Sequence, residues 1–360
     1  MSGSRSTKNT SVRKPMSKPL EKILKEYDYA FPETLIAQKP ASPRDSAKLL
    51  VYDRNADSIT ETTFAHIGEY LPKGAVLVFN QTKVLPARLT VTKPTGGTAR
   101  ILYIAQEGDV IRAMSDRKLE VGTNVRITSG LFFNVAKQEG KYYLLKPSFP
   151  LQQLNTILDR HGITPIPPYI KESPLNEREL RKKYQTVFAK HAGSVAAPTA
   201  SLHFTDRLLK KLQKQGVDIR FITLHVNIGT FAPLTQEHLD TGALHTESFS
   251  IDKQTANFLN KAKEEGRPII GVGTTVVRTL ESACIDSQLK RLTGETRIFI
   301  QEGYRFNFID GMVTNFHVPQ SSLLMLVAAL IGKDTLFKLY KIAIKRKFRF
   351  FSFGDGMLIY

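Results

Sequence analysis

Two of the chain's eight histidines, His203 and His225, sit in similar settings, in VAAPTASLHF (195–204) and TLHVNIGTFAP (223–233). Each follows a leucine in a mostly apolar run flanked by Pro, Thr and Gly. Imidazole is the side chain that titrates near neutrality unperturbed, so such a pair suits proton transfer. Three polar clusters accompany them. His225 leads into Asn227, Gly229 and Thr230; Gly271 and Gly273 lead into Thr274 and Thr275; Thr314 and Asn315 lead into His317, Pro319 and two serines. Where such clusters end a strand and open a helix, free main-chain N–H groups suit a carboxylate or phosphate. GVGTT is only a fragment of a dinucleotide fingerprint. There is no HExxH metal spacing and no GxSxG nucleophile motif. Arg278 and Glu281, three residues apart, fit a local ion pair as well as a site, and Asp355 in FSFGDGMLI fits the turn that its two glycines imply.

The elements that must position these groups follow from hydrophobic period. GAVLVFNQTKVLPARL (74–89) reads as a strand running into a polar turn. From about 88 to 148, short β-type runs such as ARILYIA, VIRAMS and YYLLKP alternate with Gly-rich turns, the pattern of a small antiparallel barrel or sandwich. Beyond 186 strands and helices alternate. TDRLLKKLQKQG (205–216) carries a Thr cap and an apolar stripe, DIRFITLHV, RPIIGVG and GMVTNF read as strands, and TTVVRTLESACI and QSSLLMLVAALIG read as helices. The expected architecture is a layered α/β domain, residues 23–87 and 156–360, with an inserted small antiparallel β-barrel, residues 88–155. In such sheets ligands bind beyond the carboxyl ends of the strands.

Composition narrows the function classes. The 360 residues carry 51 Lys plus Arg against 33 Asp plus Glu, a formal net charge of +18, which favours polyanionic partners, above all nucleic acid. Residues 1–22 read as a disordered basic tail; their Ser, Thr and basic content taken alone also resembles a transit peptide. Cys284 is the single cysteine, so a disulfide framework and a multi-thiolate zinc site are excluded, and a reducing cytosol fits. LLMLVAALIG (323–332) is too short to span a bilayer, and no membrane association is expected.

NQTKVLPARL, VAAPTASLHF, TLHVNIGTFAP, GTTVVRTLES, TNFHVPQSSLLMLVAAL and FRFFSFGDGMLI together resemble, in order from about Tyr27 to Ile359, the S-adenosylmethionine:tRNA ribosyltransferase-isomerase family of queuosine biosynthesis. The resemblance implies a cytoplasmic enzyme, expected to be a monomer, with an α/β domain and an inserted β-barrel. Its co-substrate would be S-adenosylmethionine, with no metal. Its partner would be a tRNA with a GUN anticodon carrying 7-aminomethyl-7-deazaguanine at the wobble position. The ribosyl moiety would be transferred and rearranged to give epoxyqueuosine, releasing adenine and methionine. The chain departs from the family at Ser201, where Gly is usual, and at Asn227. If position 201 needs a positive φ, Ser there costs roughly 1 kcal/mol. Those departures keep a catalytically inactive tRNA-binding paralogue as the alternative.

The implied chemistry assigns tasks. The sulfonium acidifies the ribose C5′ protons, so a base beside them can start the reaction; adenine leaves more easily when protonated; the aminomethyl nitrogen must lose a proton. His203 and His225 are the expected catalytic residues, with Glu281 and Asp310 balancing cationic charge. Thr199, Asn227, Gly273, Thr274, Thr275, Arg278, Asn315, His317 and Asp355 are expected to bind substrate.

Overall fold

The computed structural model describes residues 19–227 and 233–360; the segment before Pro19, and Gly229 and Thr230, lie outside the described residues. Four parallel strands form the centre of a nine-stranded sheet, in the order Asp218–Leu224, Val76–Asn80, Ile269–Val272, Gly311–Asn315. The last three are buried at every position, which is why they read as unbroken apolar runs rather than alternating ones. Gly356–Ile359, Lys48–Asp53 and Ser58–Thr63 extend the sheet on one flank, Ala243–Ser250 and Thr293–Ile298 on the other.

Successive side chains of Val76–Asn80 point to opposite faces, and each face has its own cover. Leu77 and Phe79 pack with Leu208 and Leu212 of the Asp206–Lys214 helix, whose N-cap Thr205 accepts from Leu208 N at 3.1 Å. Val76 and Val78 pack with Leu259 of the Lys253–Glu264 helix and with Val276, Val277 and Leu280 of the Thr274–Ala283 helix. This is the layered α/β arrangement expected.

Arg88–Thr92, Thr98–Glu107, Val110–Ser115, Asn124–Arg126, Phe132–Glu139 and Tyr142–Pro147 close into a six-stranded antiparallel barrel. Alternation sorts its side chains: Ile111, Ala113, Tyr143 and Leu145 fill the interior, while Arg112, Met114, Tyr142 and Leu144 face out. The Leu154–His161 helix adds Leu154, Ile157 and Leu158 to the barrel's core, so that packing continues past residue 155. At its end Gly162 lies against Pro86, where a Cβ would come within 1.8 Å of the Pro86 carbonyl oxygen. Only glycine lets the returning chain pass there. At the other end of the chain, the Leu20–Glu26 helix begins inside the segment read as tail, and Leu20, Ile23 and Leu24 pack on the α/β core.

The chain leaves the α/β domain through Thr82–Val84 and re-enters it through His191–Ser194. These two crossings run side by side as a parallel pair, Thr82 opposite His191 and Val84 opposite Ser194. The connection between the domains is thus a hydrogen-bonded seam rather than two separate linkers.

Candidate active site

All four central parallel strands end on the same side of the sheet, and each end carries polar groups. Asn80, which closes its own strand, holds the neighbouring end: its Nδ2 donates to Leu224 O at 2.9 Å, and its Oδ1 accepts from Leu224 N and Thr82 N, both at 3.1 Å. Asn80 and Thr82 lie in NQTKVLPARL and meet the same strand-end criterion as the three clusters singled out from sequence, which overlooked them.

Beyond these ends lies a cleft walled by polar strand ends and aromatic rings. Its walls include Thr199, Gly273, Thr274, Thr275, Asn315 and His317, all expected from sequence, together with Tyr169, Phe316 and Phe351. Gly273, at φ +98°, breaks the strand into the Thr274–Ala283 helix with no side-chain cap, leaving first-turn N–H groups at the cleft. Thr199 Oγ1 donates to Asn315 Oδ1 at 2.8 Å, which orients the amide. His317 Nε2 pairs with Thr314 Oγ1 at 2.7 Å, and burial pushes its imidazole down to about 3, so it is neutral.

The two histidines part company. His203 is buried, its ring stacked on Phe64 at 4.0 Å between centroids, and Asn315 Nδ2 lies 3.3 Å from its Nε2. Asn315 donates, so Nε2 is the unprotonated nitrogen. Burial first, then the Arg349 and Arg44 guanidinium groups, lower its pKa to about 3. His203 therefore lies behind Asn315 and is not among the residues lining the cleft. His225 faces a second cleft, of about 1340 Å³, between the α/β domain and the barrel, with Asn227 beside it. Its Nδ1 stands 2.9 Å from Thr82 Oγ1, and Thr82 in turn pairs with Ser194 Oγ at 2.7 Å, which leaves Nε2 for a ligand. Burial and then the neighbouring His191 lower its pKa below the usual 6.5. Gly193 makes room for the ring: a Cβ there would lie 2.7 Å from Nδ1. The two clefts share a wall, since Ala192 and Gly193 line one and Ala196 to Ala200 the other.

Four other expected residues line neither cleft. Glu281 does not pair with Arg278. Its carboxylate accepts from the main-chain N–H groups of Asn307, Phe308 and Ile309 at 2.9–3.0 Å and from Tyr304 OH, and so fixes that loop. Arg278 instead binds buried Glu247, which also accepts from Asn227 N at 3.2 Å. Asp310 stands at the amino end of the Gly311–Asn315 strand, about 17 Å of strand from the cleft, and binds Lys263 Nζ at 2.7 Å and Ile269 N at 2.8 Å. Asp355 serves its turn, accepting from Arg349 N at 2.7 Å and Lys48 N at 3.1 Å. Each of these three carboxylates is engaged by partners within the fold. Ser201 has no positive φ, so no backbone strain attends it; its hydroxyl is buried without a partner. Cys284 closes the Thr274–Ala283 helix, and burial raises its thiol pKa, against a role as nucleophile. Among the described residues no group of three or more His, Cys, Asp or Glu is arranged to hold a metal ion, and no helix is long and apolar enough to cross a membrane.

Comparison with known proteins agrees with the motifs. The profile of the family described as "Queuosine biosynthesis protein" matches residues 24–359. Proteins named S-adenosylmethionine:tRNA ribosyltransferase-isomerase from Halothermothrix orenii and Carboxydothermus hydrogenoformans are each 43% identical, over 93% of this chain and 99% of theirs. One from Treponema denticola is 40% identical over 94% of this chain and 99% of its own. The crystal structure of the S-adenosylmethionine tRNA ribosyltransferase from Thermotoga maritima is 34% identical, covers 93% of this chain and 100% of its own, and superposes with a TM-score of 0.53. The inactive alternative finds no support among these relatives. With the family's profile matching nearly the whole length, and both the layered sheet and the inserted barrel in place, the chain belongs to the queuosine biosynthesis protein family.

Proposed function

We propose that this protein transfers the ribosyl moiety of S-adenosylmethionine to 7-aminomethyl-7-deazaguanine at the wobble position of a GUN-anticodon tRNA and isomerises it to epoxyqueuosine, working as a cytoplasmic monomer without a metal. The observation that carries this reading is the chain-long match to relatives bearing that enzyme's name, over a fold that brings the polar ends of the Ile269–Val272 and Gly311–Asn315 strands to one cleft. The reaction consumes no oxidant or reductant: adenine and methionine together account for everything in the donor except the ribosyl moiety, carbons and oxygens alike.

The chain's own groups fit the tasks. The strand-end cleft offers uncapped N–H groups of the Thr274–Ala283 helix to a carboxylate, and aromatic walls to a purine. His225, neutral and oriented through Nδ1 by Thr82, is the group suited to take a proton through Nε2. His203 is a positioning residue: it holds Asn315, and through Asn315 Thr199, at the cleft wall. The test is product analysis with purified protein, S-adenosylmethionine and tRNA bearing the aminomethyl base. Free adenine and methionine should appear together; S-adenosylhomocysteine in their place would reject the reading.

A further inference from the structure

The barrel presents one outward face to the α/β domain, and its register makes that face continuous. Met114 lies directly opposite Leu102 on one side and Tyr142 on the other; Arg112 lies opposite Ala105 and Leu144 in the next row. Directly opposed residues on one face have Cβ atoms about 4.5–5.5 Å apart, so these rows are contiguous surface. Leu102, Met114 and Lys141 line a cleft of about 660 Å³ against the Pro165–Pro168 run. Arg112 and Tyr142 line the larger cleft that contains His225. The two clefts therefore adjoin along one trench between the domains, and His225 lines the larger of them.

The trench sets an aromatic platform beside cations, with Glu107 and Glu295 also on its wall. Arg112 and Lys141 each stand 5.3 Å from the Tyr142 ring centroid. Arg112 is held by Glu107 and Glu139, so its charge is spoken for, but Lys141 and Arg88 add cations along the same wall. Burial lowers the His238 and His245 imidazoles, and Lys141, on the turn before Tyr142–Pro147, adds to the lowering. A half-buried aromatic ring among cations, in a protein of net charge +18, matches how single-stranded nucleic acid is held: bases stack on the ring while phosphates meet the charges.

We propose that this trench receives a single-stranded RNA loop and that Tyr142 is a platform on which one of its bases stacks, delivering a neighbouring base to His225. The inference rests on the reading that the substrate is a tRNA, and it adds where and by which residues the loop is held.

The test uses the full chain and an anticodon stem–loop RNA, with affinity read by fluorescence anisotropy. Tyr142→Ala should weaken binding about ten-fold or more, as for loss of one base stack, and Tyr142→Phe should recover wild-type affinity. Lys141→Ala should lower the slope of log affinity against log salt by about 0.7, one phosphate contact on a single strand. In parallel, 4-thiouridine in the loop of the RNA is photocrosslinked to the wild-type protein and the adducts are mapped. Crosslinks should fall within Thr98–Ser115, Lys141–Pro147 or His191–Gly193; crosslinks only elsewhere overturn the proposal, whatever the variants do. Unchanged affinity in a folded Tyr142→Ala variant also overturns it. The two readings fail separately: Tyr142-dependent RNA binding without adenine release keeps the trench and removes the reaction, while adenine release with unaltered RNA affinity in Tyr142→Ala does the reverse.

Discussion

Thr82 Oγ1 lies 2.9 Å from His225 Nδ1, and this contact joins the strand leaving the α/β domain to the residue after the Asp218–Leu224 strand. Thr82 also meets Ser194 Oγ, whose oxygen accepts from Val226 N at 2.8 Å, so the histidine is held through both its ring and its following main chain. A base held this way has one nitrogen for orientation and one for chemistry.

His225→Gln should lower kcat by about 10² or more, the size of a lost general base, with RNA affinity near wild type. Because burial and His191 depress its pKa, the group is fully active above that lowered value and loses activity as pH falls through it. The acid limb of kcat/KM should therefore fall below pH 6.5. Thr82→Val should reduce kcat and move that limb, which a purely structural role would not do. A limb unchanged in Thr82→Val speaks against the pairing.

His203 is different in kind. Its folded pKa of about 3 lies below the unfolded value near 6.5, so the unfolded chain binds the proton first. The contribution of neutral His203 is present above about pH 6.5 and is lost as pH falls toward 3. Urea titrations should show the wild type losing stability through this window faster than His203→Gln. Equal pH dependence in the two proteins would contradict the burial argument.

The Arg278–Glu247 pair is buried on both sides, with Arg278 Nε and Nη2 lacking partners. Removing Arg278 takes away the buried cation that faces Glu247. Arg278→Met alone should cost about 3–5 kcal/mol by urea denaturation, whereas Arg278→Met combined with Glu247→Leu should recover most of it. A double variant no better than the single would show that the pair is needed for more than charge balance.

Residues 1–18 supply +5 of the formal +18, leaving +13 on the remainder. A chain lacking residues 1–18 should bind RNA less tightly at low salt and with a slope of log affinity against log salt flatter by roughly 0.7–0.9 per lost contact. Its rate at saturating tRNA should not change. Inactivity at saturation would place the tail in the working site.

The elements were legible because their signals are local. Buried parallel strands read as apolar runs, Thr205 and Ser321 announce their helices, and the barrel shows as short alternating runs. The strand-end rule also located Asn315, Thr274 and His225, and it extends to Asn80. What sequence spacing misjudged were partners. Glu281 lies within reach of Arg278 on the helix, yet main-chain donors from a loop more than twenty residues on satisfy it in a dry setting where one cation could not. Arg278 finds Glu247 from another strand, with no local cue. His203 and His225 look alike in sequence, and it is their tertiary partners, Phe64 and Asn315 for one and Thr82 for the other, that separate their parts.

The seam of Thr82–Val84 with His191–Ser194 has a mechanical meaning. The barrel is fastened by the strand that carries Thr82 and by the strand whose Ser194 supports Val226. Any tilt of the barrel is a torque on the hydrogen bonds that aim His225. On the proposed reading, RNA seated against the barrel would pull on these same two strands, and its engagement would be felt at the His225 imidazole.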